Sequence, residues 1–335
     1  MSNSPSARQL YALGFCVFTV PAILLLPRVG WLWAAAAASV TALLCAAVIL
    51  LRRKAPCPVA KLAARLAWGK AGLTLTLLWN LLMLGCFARL LCAAYPTGSA
   101  YPLVGLLLLL LAVYAGQKGP GVIASVGAIV FFFLLVFYAL LFGFALPELR
   151  TQWLVPVTEV PWQLLPAALA PLSVVYLCGG ETGKPLPWLL GGVALAVLAA
   201  LMTAGSLSPR VAAQESFPLY TAAKSVSILG AMERLEPLVS AALTAGGFCL
   251  LATLAGADGK ILSALLPESK STSALLHLLP ALIPAILVSI LTILGIASSG
   301  IAGILMIVMI PVTILCARIF WKMGLVKVVP KDQKK

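Results

Sequence analysis

Ten apolar stretches follow one another along this chain, separated by short polar joints: 10–27, 31–51, 67–94, 101–115, 121–146, 164–181, 187–206, 236–256, 275–297 and 299–319. Most approach the ~20 residues that an α-helix needs to cross a bilayer. The runs 103–115 and 122–146 contain no charged residue. Only lipid or neighbouring helices can cover that much uninterrupted apolar surface. The pattern predicts an all-α polytopic membrane protein, with about ten transmembrane helices in a single domain spanning 1–335. The first stretch ends at Pro27-Arg28 without a small-x-small cleavage pattern, so it is expected to stay as a helix. Two joints are patterned too strongly to be slack. Pro56–Trp68 sets Lys61 and Arg65 among alanines and leucines, as a helix lying on the membrane surface would. The joint 209–234 holds the helix-like pieces 211–223 and 231–235, and predicts one or two short surface helices.

Composition agrees. Of 335 residues, 62% are apolar and 10% charged, against roughly 25% charged in a soluble domain. The net charge of +14 is explained by topology and not by nucleic acid, because basic residues collect in cytoplasmic loops. With both termini in the cytoplasm, 17 of the 23 basic residues fall on the inner side, in inner joints, at inner helix ends such as Lys70, and in the tail from Arg318 onward. Five fall outside, and Arg89 lies within the third stretch, placed to snorkel to the outer surface. Seven of eight tryptophans sit near predicted helix ends, where an interfacial belt belongs. The eight cysteines are scattered and form no CxxC or Cys/His cluster, so no metal site or disulfide framework is expected. His277, the single histidine, has no carboxylate near it in sequence and is weak evidence for a proton relay. No nucleophile–base arrangement or phosphate loop is present, so the chain is not expected to be an enzyme or to need a cofactor.

Ten helices divide into a first set over 1–146 and a second over 164–320, joined by an outer loop at 147–163. An odd number per half inverts the second half, a plan common among transporters, whose first helices in each half are often broken around a midplane site. Both halves begin with a break signal. Gly14, Thr19 and Pro21 mark the first stretch; Pro171, Ser173, Gly179, Gly180 and Glu181 mark the sixth. Free backbone ends at such breaks meet the carboxylate and ammonium of an amino acid. Gly14, Thr19, Pro21, Ser173, Tyr176, Gly179 and Gly180 are therefore candidate substrate-binding positions, with small-residue helix packing as the alternative. Glu181 either lines this site or is a boundary residue beside Lys184. Asn80, midway along the third stretch, either reaches the site or bonds a neighbouring helix. Thr244, Gly246 and Gly247 give the eighth stretch a small-residue face for close packing or for a site wall.

Several of these residues are similar to a known pattern. Gln9…Gly14…Pro21…Pro27 resembles the opening of the spore-germination permeases, the B subunits of endospore germinant receptors. Gly69-Lys70-Ala-Gly72 is similar to that family's Gly-Lys-x-x-Gly, and Tyr176…Gly180-Glu181 to its aromatic…Gly-x-Glu segment. The run Glu215-Ser-Phe-Pro218…Lys224…Glu233-Arg234-Leu235-Glu236 resembles its Phe-Pro…Lys…Glu-Arg-Leu stretch before the eighth helix. The resemblance implies the amino acid–polyamine–organocation superfamily and a leucine-transporter-type 5+5 inverted repeat with interrupted first and sixth helices. It also implies a subunit that senses an amino-acid-like germinant in the inner spore membrane, beside an A-type membrane subunit and a C-type lipoprotein. Glu233, Arg234 and Glu236 then become partner or structural-motif residues; without the resemblance, the acids simply suit a helix N-terminus. The family's half-helix after the sixth-segment glutamate is replaced here by Thr182-Gly-Lys-Pro-Leu-Pro187. A proton- or cation-coupled amino-acid transporter and a scaffold that has kept the fold without the pocket are the other readings.

Overall fold

The computed structural model describes residues 5–24, 26–53, 70–94, 101–154, 169, 171, 174, 186–215, 217–225 and 236–265. Of these residues 93% are helical, as the apolar pattern requires of an all-α protein. Helix α1 (Ala7–Leu24) starts at a capping box: Gln9 N–H donates to Ser6 Oγ at 3.3 Å, and Ser6 N–H donates to Gln9 Oε1 at 2.9 Å. Gln9 Nε2 also donates to Ser125 Oγ at 3.1 Å, which ties the start of α1 to the fifth helix. A 3-10 turn, Leu26–Val29, and Gly30 at φ 79° lead into α2 (Trp31–Arg53). The chain continues through α3 (Lys70–Ala94) and α4 (Tyr101–Gln117). Gly119, at φ 97°, makes the tight turn into α5 (Pro120–Ala145), whose first residue, a proline, suits the start of a helix. Two 3-10 turns, Leu146–Glu148 and Thr151–Trp153, follow. Then come α6 (Leu186–Leu207), the short α7 (Pro209–Gln214) and α8 (Pro218–Ser225), and the long α9 (Glu236–Leu265).

Among the described residues, four helices are long and apolar enough to cross a membrane: α1, α5, Trp188–Leu207 of α6 and Pro237–Leu262 of α9. Shorter apolar stretches run through Trp31–Ala46 and Leu107–Gln117. The protein is thus a helical protein suited to a membrane. Seven expected stretches coincide with helices, those at 10–27, 31–51, 67–94, 101–115, 121–146, 187–206 and 236–256. The expected spans 164–181, 275–297 and 299–319 lie outside the described residues apart from Leu169, Pro171 and Val174, as do Pro56–Trp68, 231–235 and the tail 321–335. The two short helices α7 and α8 occupy the joint where surface helices were expected.

Burial orders the bundle from the inside out. Helix α1 is 72% buried and packs against α5, α6 and α9, whereas only 28% of the apolar window of α5 is buried. The bare face of α5 carries Ile129 (74% exposed), Phe132 (69%), Val136 and Leu140, spaced three or four residues apart. A face this apolar has no stable place against water and suits lipid. Phe132→Arg is expected to reduce membrane integration sharply, since arginine at a helix centre costs about 2.5–3.5 kcal/mol on insertion scales. Phe132→Leu should integrate normally, and the comparison is read from the membrane-integrated fraction of newly made protein.

Two expectations about individual helices are corrected. The first helix is not interrupted: it stays helical through Gly14, Thr19 and Pro21 and ends only at Leu24. Proline forfeits one backbone hydrogen bond, but Pro21 lies in the last turns and is fully enclosed by neighbours that hold the helix in shape. The second correction concerns α9, which runs on to Leu265 and not to about 256. Gly256 and Gly259 do not end it; Gly256 faces α4 so closely that a Cβ on Gly116 would lie 2.9 Å from the Gly256 nitrogen. Tight backbone contact between α4 and α9 explains a glycine there better than a helix stop does.

Candidate functional site

Helix α1 supplies the first group of candidate residues. Gly14 faces the indole of Trp188 on α6, so closely that a methyl group at Gly14 would overlap the ring. One turn further, Phe18 lies in the same relation to Gly192 of α6. On the side facing α9, a Cβ on Gly246 would stand 2.9 Å from Thr19 Cγ2 and 3.3 Å from the Cys16 carbonyl oxygen. Gly247, its neighbour, clears Leu91 of α3 in the same way. Towards α5, Leu13 fills the space against Gly127, and Cys16 Sγ donates to the Gly127 carbonyl at 3.3 Å. Thr19 Oγ1 donates to the Phe15 carbonyl at 3.4 Å, within its own helix.

This brings Gly14 and Thr19 to seams of a tightly packed centre, and encloses Pro21 in the same helix. An aromatic wall stands beside them. Phe15 meets Phe131 edge-on with ring centroids 5.2 Å apart and Tyr138 at 6.2 Å, and Tyr138 stacks on Phe142 at 5.5 Å. Two polar atoms here are buried without a hydrogen-bond partner, the Tyr138 hydroxyl and Trp188 Nε1. Tyr138 does not stand out in the sequence, and Trp188, which reads there as one of the interfacial tryptophans, is instead 3% exposed among helices. Gly246 and Gly247 do form the small-residue face expected of the eighth stretch, and the face is used for packing.

Asn80 belongs elsewhere. Its Nδ2 donates to the Leu254 carbonyl and to Asp258 Oδ1, each at 2.8 Å, joining α3 to α9. Asn80 and Asp258 are both 1% exposed. At 1.5 Å per residue, Asp258 lies about 18 Å along α9 from Gly246, so Asn80 is a helix-to-helix bond and not a neighbour of Thr19. Asp258 was missed because the eighth stretch was expected to end near 256, which put the acid in a loop. Continuing the helical period past Leu254 would have placed it on the same face, one turn on.

Ser173, Tyr176, Gly179, Gly180, Glu181, Glu233 and Arg234 lie outside the described residues. Glu236 is the first residue of α9, the position at which a carboxylate meets the positive end of the helix dipole. Among the described residues no group of three His, Cys, Asp or Glu side chains is placed to hold a metal ion. At one end of the bundle, Trp31 Nε1 donates to the Leu154 carbonyl at 3.2 Å, and the Arg150 guanidinium lies over the Trp153 ring at 4.5 Å. Both are contacts that anchor loops at a membrane surface. Compared with known proteins, the chain matches no family model and no curated protein.

Proposed function

We propose that this chain is the B-type membrane subunit of an endospore germinant receptor, sensing an amino-acid-like germinant and passing the event to an A-type membrane subunit and a C-type lipoprotein. In this reading it has about ten transmembrane helices in a 5+5 inverted repeat, with both termini cytoplasmic, in the inner spore membrane. The motif resemblance from Gln9 to Glu236 supports the reading. The observation that carries it is the enclosure of α1 by α5, α6 and α9, with Gly14 and Thr19 at the seams. A ligand can shift such an assembly only through different contacts in its two states. A central helix touching three neighbours across glycine seams would turn a small movement into a rearranged bundle.

The test is assembly. Coexpressed with A- and C-type partners, the wild-type chain is expected to co-purify with both. Arg234→Ala is expected to lower recovery of the complex while leaving membrane integration intact. Full recovery together with normal germination would overturn the partner role assigned to this arginine. A second reading, a proton- or cation-coupled amino-acid transporter, is favoured by one observation, the buried Asn80–Asp258 pair. Ionisable residues inside membrane bundles commonly mark ion or proton routes.

A further inference from the structure

Both amide hydrogens of Asn80 are used, on Leu254 and Asp258, yet two oxygens of this pair remain bare. Asn80 Oδ1 and Asp258 Oδ2 are buried and have no hydrogen-bond partner among the described residues. Both are acceptors, so neither can satisfy the other, and a carboxylate here would be a negative charge inside the bundle held by one amide. The other charged groups and tyrosines on α9 and on the elements packed against it are Lys70 and Arg89 of α3, Tyr101 and Tyr114 of α4 with the Lys118 ammonium 4.9 Å from the Tyr114 ring centroid, Arg8 and Tyr11 of α1, Tyr138 of α5, Tyr220 and Lys224 of α8, and Glu236 and Lys260 of α9 itself. None of them bonds Asp258; among the described residues Asn80 is the one side chain that does.

We propose that Asn80 and Asp258 form a buried one-proton site that locks α3 to α9. A proton on Asp258 Oδ2 removes the charge and turns a surplus acceptor into a donor, while Oδ1 keeps its bond from Asn80. A hard metal cation is a poorer occupant, because it draws about six oxygen ligands and the pair offers two open ones. Releasing the proton leaves an anion that only water can satisfy, which favours parting of the α3–α9 seam. Elsewhere on α9, α4 makes the close Gly116–Gly256 approach, which does not involve the pair. The site stands whether the chain senses a solute or carries one.

The sequence makes the test clean, since its only aspartates are Asp258 and Asp332. The full chain, labelled with carbon-13 aspartate and placed in lipid nanodiscs, is stepped from acidic to alkaline buffer while infrared difference spectra are recorded. A labelled carboxylic-acid band should be present at neutral pH and give way to a carboxylate band only on the alkaline step. The change should persist in Asp332→Asn and be absent in Asp258→Asn. Where Asp258→Asn does not fold, Asp332→Asn alone decides the question, because Asp258 is then the sole labelled side chain. In Asp332→Asn, a labelled carboxylate band already present at neutral pH would overturn the proposal, and so would a spectrum that answers to sodium at fixed pH and not to protons.

Discussion

Gly192→Ala is expected to destabilise the protein by about 2–3 kcal/mol, the upper part of the range for overpacking a filled core. The same change one residue earlier, Gly191→Ala, should be neutral or slightly stabilising. At Gly192 a new methyl group would overlap the ring of Phe18, which is fully buried and has no free direction in which to move. At Gly191 the nearest atom is Phe15 Cδ2 at 3.7 Å, an ordinary van der Waals distance. Alanine also gains up to about 1 kcal/mol over glycine inside a helix, so Gly191→Ala has a benefit and almost no cost. Adjacent positions in one helix thus receive opposite signs. Thermal unfolding midpoints of the two purified variants in one detergent would check this; similar midpoints would mean that α1 does not lie against α6 as described.

Asn80→Leu should cost about 2–3 kcal/mol, because it strips the donor from a buried acid and leaves the Leu254 carbonyl with one partner fewer. The double variant Asn80→Leu, Asp258→Leu is expected to recover most of that loss. Replacing a whole buried polar pair by apolar groups of similar size is often neutral, whereas removing one member is not. A double-mutant cycle on thermal midpoints measures the coupling. Simple additivity of the two single changes would show that the side chains do not interact.

The helices were legible because their signal is long and redundant. In α5, for instance, 26 residues without a charge leave no other element to propose. Helix ends were legible where a residue demands one conformation, as Gly119-Pro120 does between α4 and α5. They were misread where a glycine serves packing. Gly14 reads as part of a break and the eighth stretch as ending at 256, yet Gly14 and Gly256 each clear space for a neighbour, Trp188 in one case and the backbone of α4 in the other. Nothing in the local sequence separates these uses; the partner that needs the space is far along the chain. Pro21 misleads for a related reason, since surrounding helices hold a proline-containing turn in place.

Of the candidate site, Gly14 and Thr19, read in the sequence as substrate-binding positions or as small-residue packing, lie at helix seams, and Asn80 is a buried polar group. The sequence could not pair Asn80 with Asp258, 178 residues away. The burial of Tyr138 and of Trp188, the latter read as an interfacial tryptophan, escaped notice because an aromatic ring in a membrane helix looks the same whether its polar atom is buried or meets a headgroup.

The measurement that bears most directly on the proposed role is made with labelled amino acids and the purified chain sealed into liposomes carrying a proton gradient. A sensing subunit should bind its amino acid saturably, in proportion to protein, with no accumulation inside the vesicles. Accumulation that follows the gradient and collapses with an uncoupler would contradict the receptor assignment and establish the chain as a transporter.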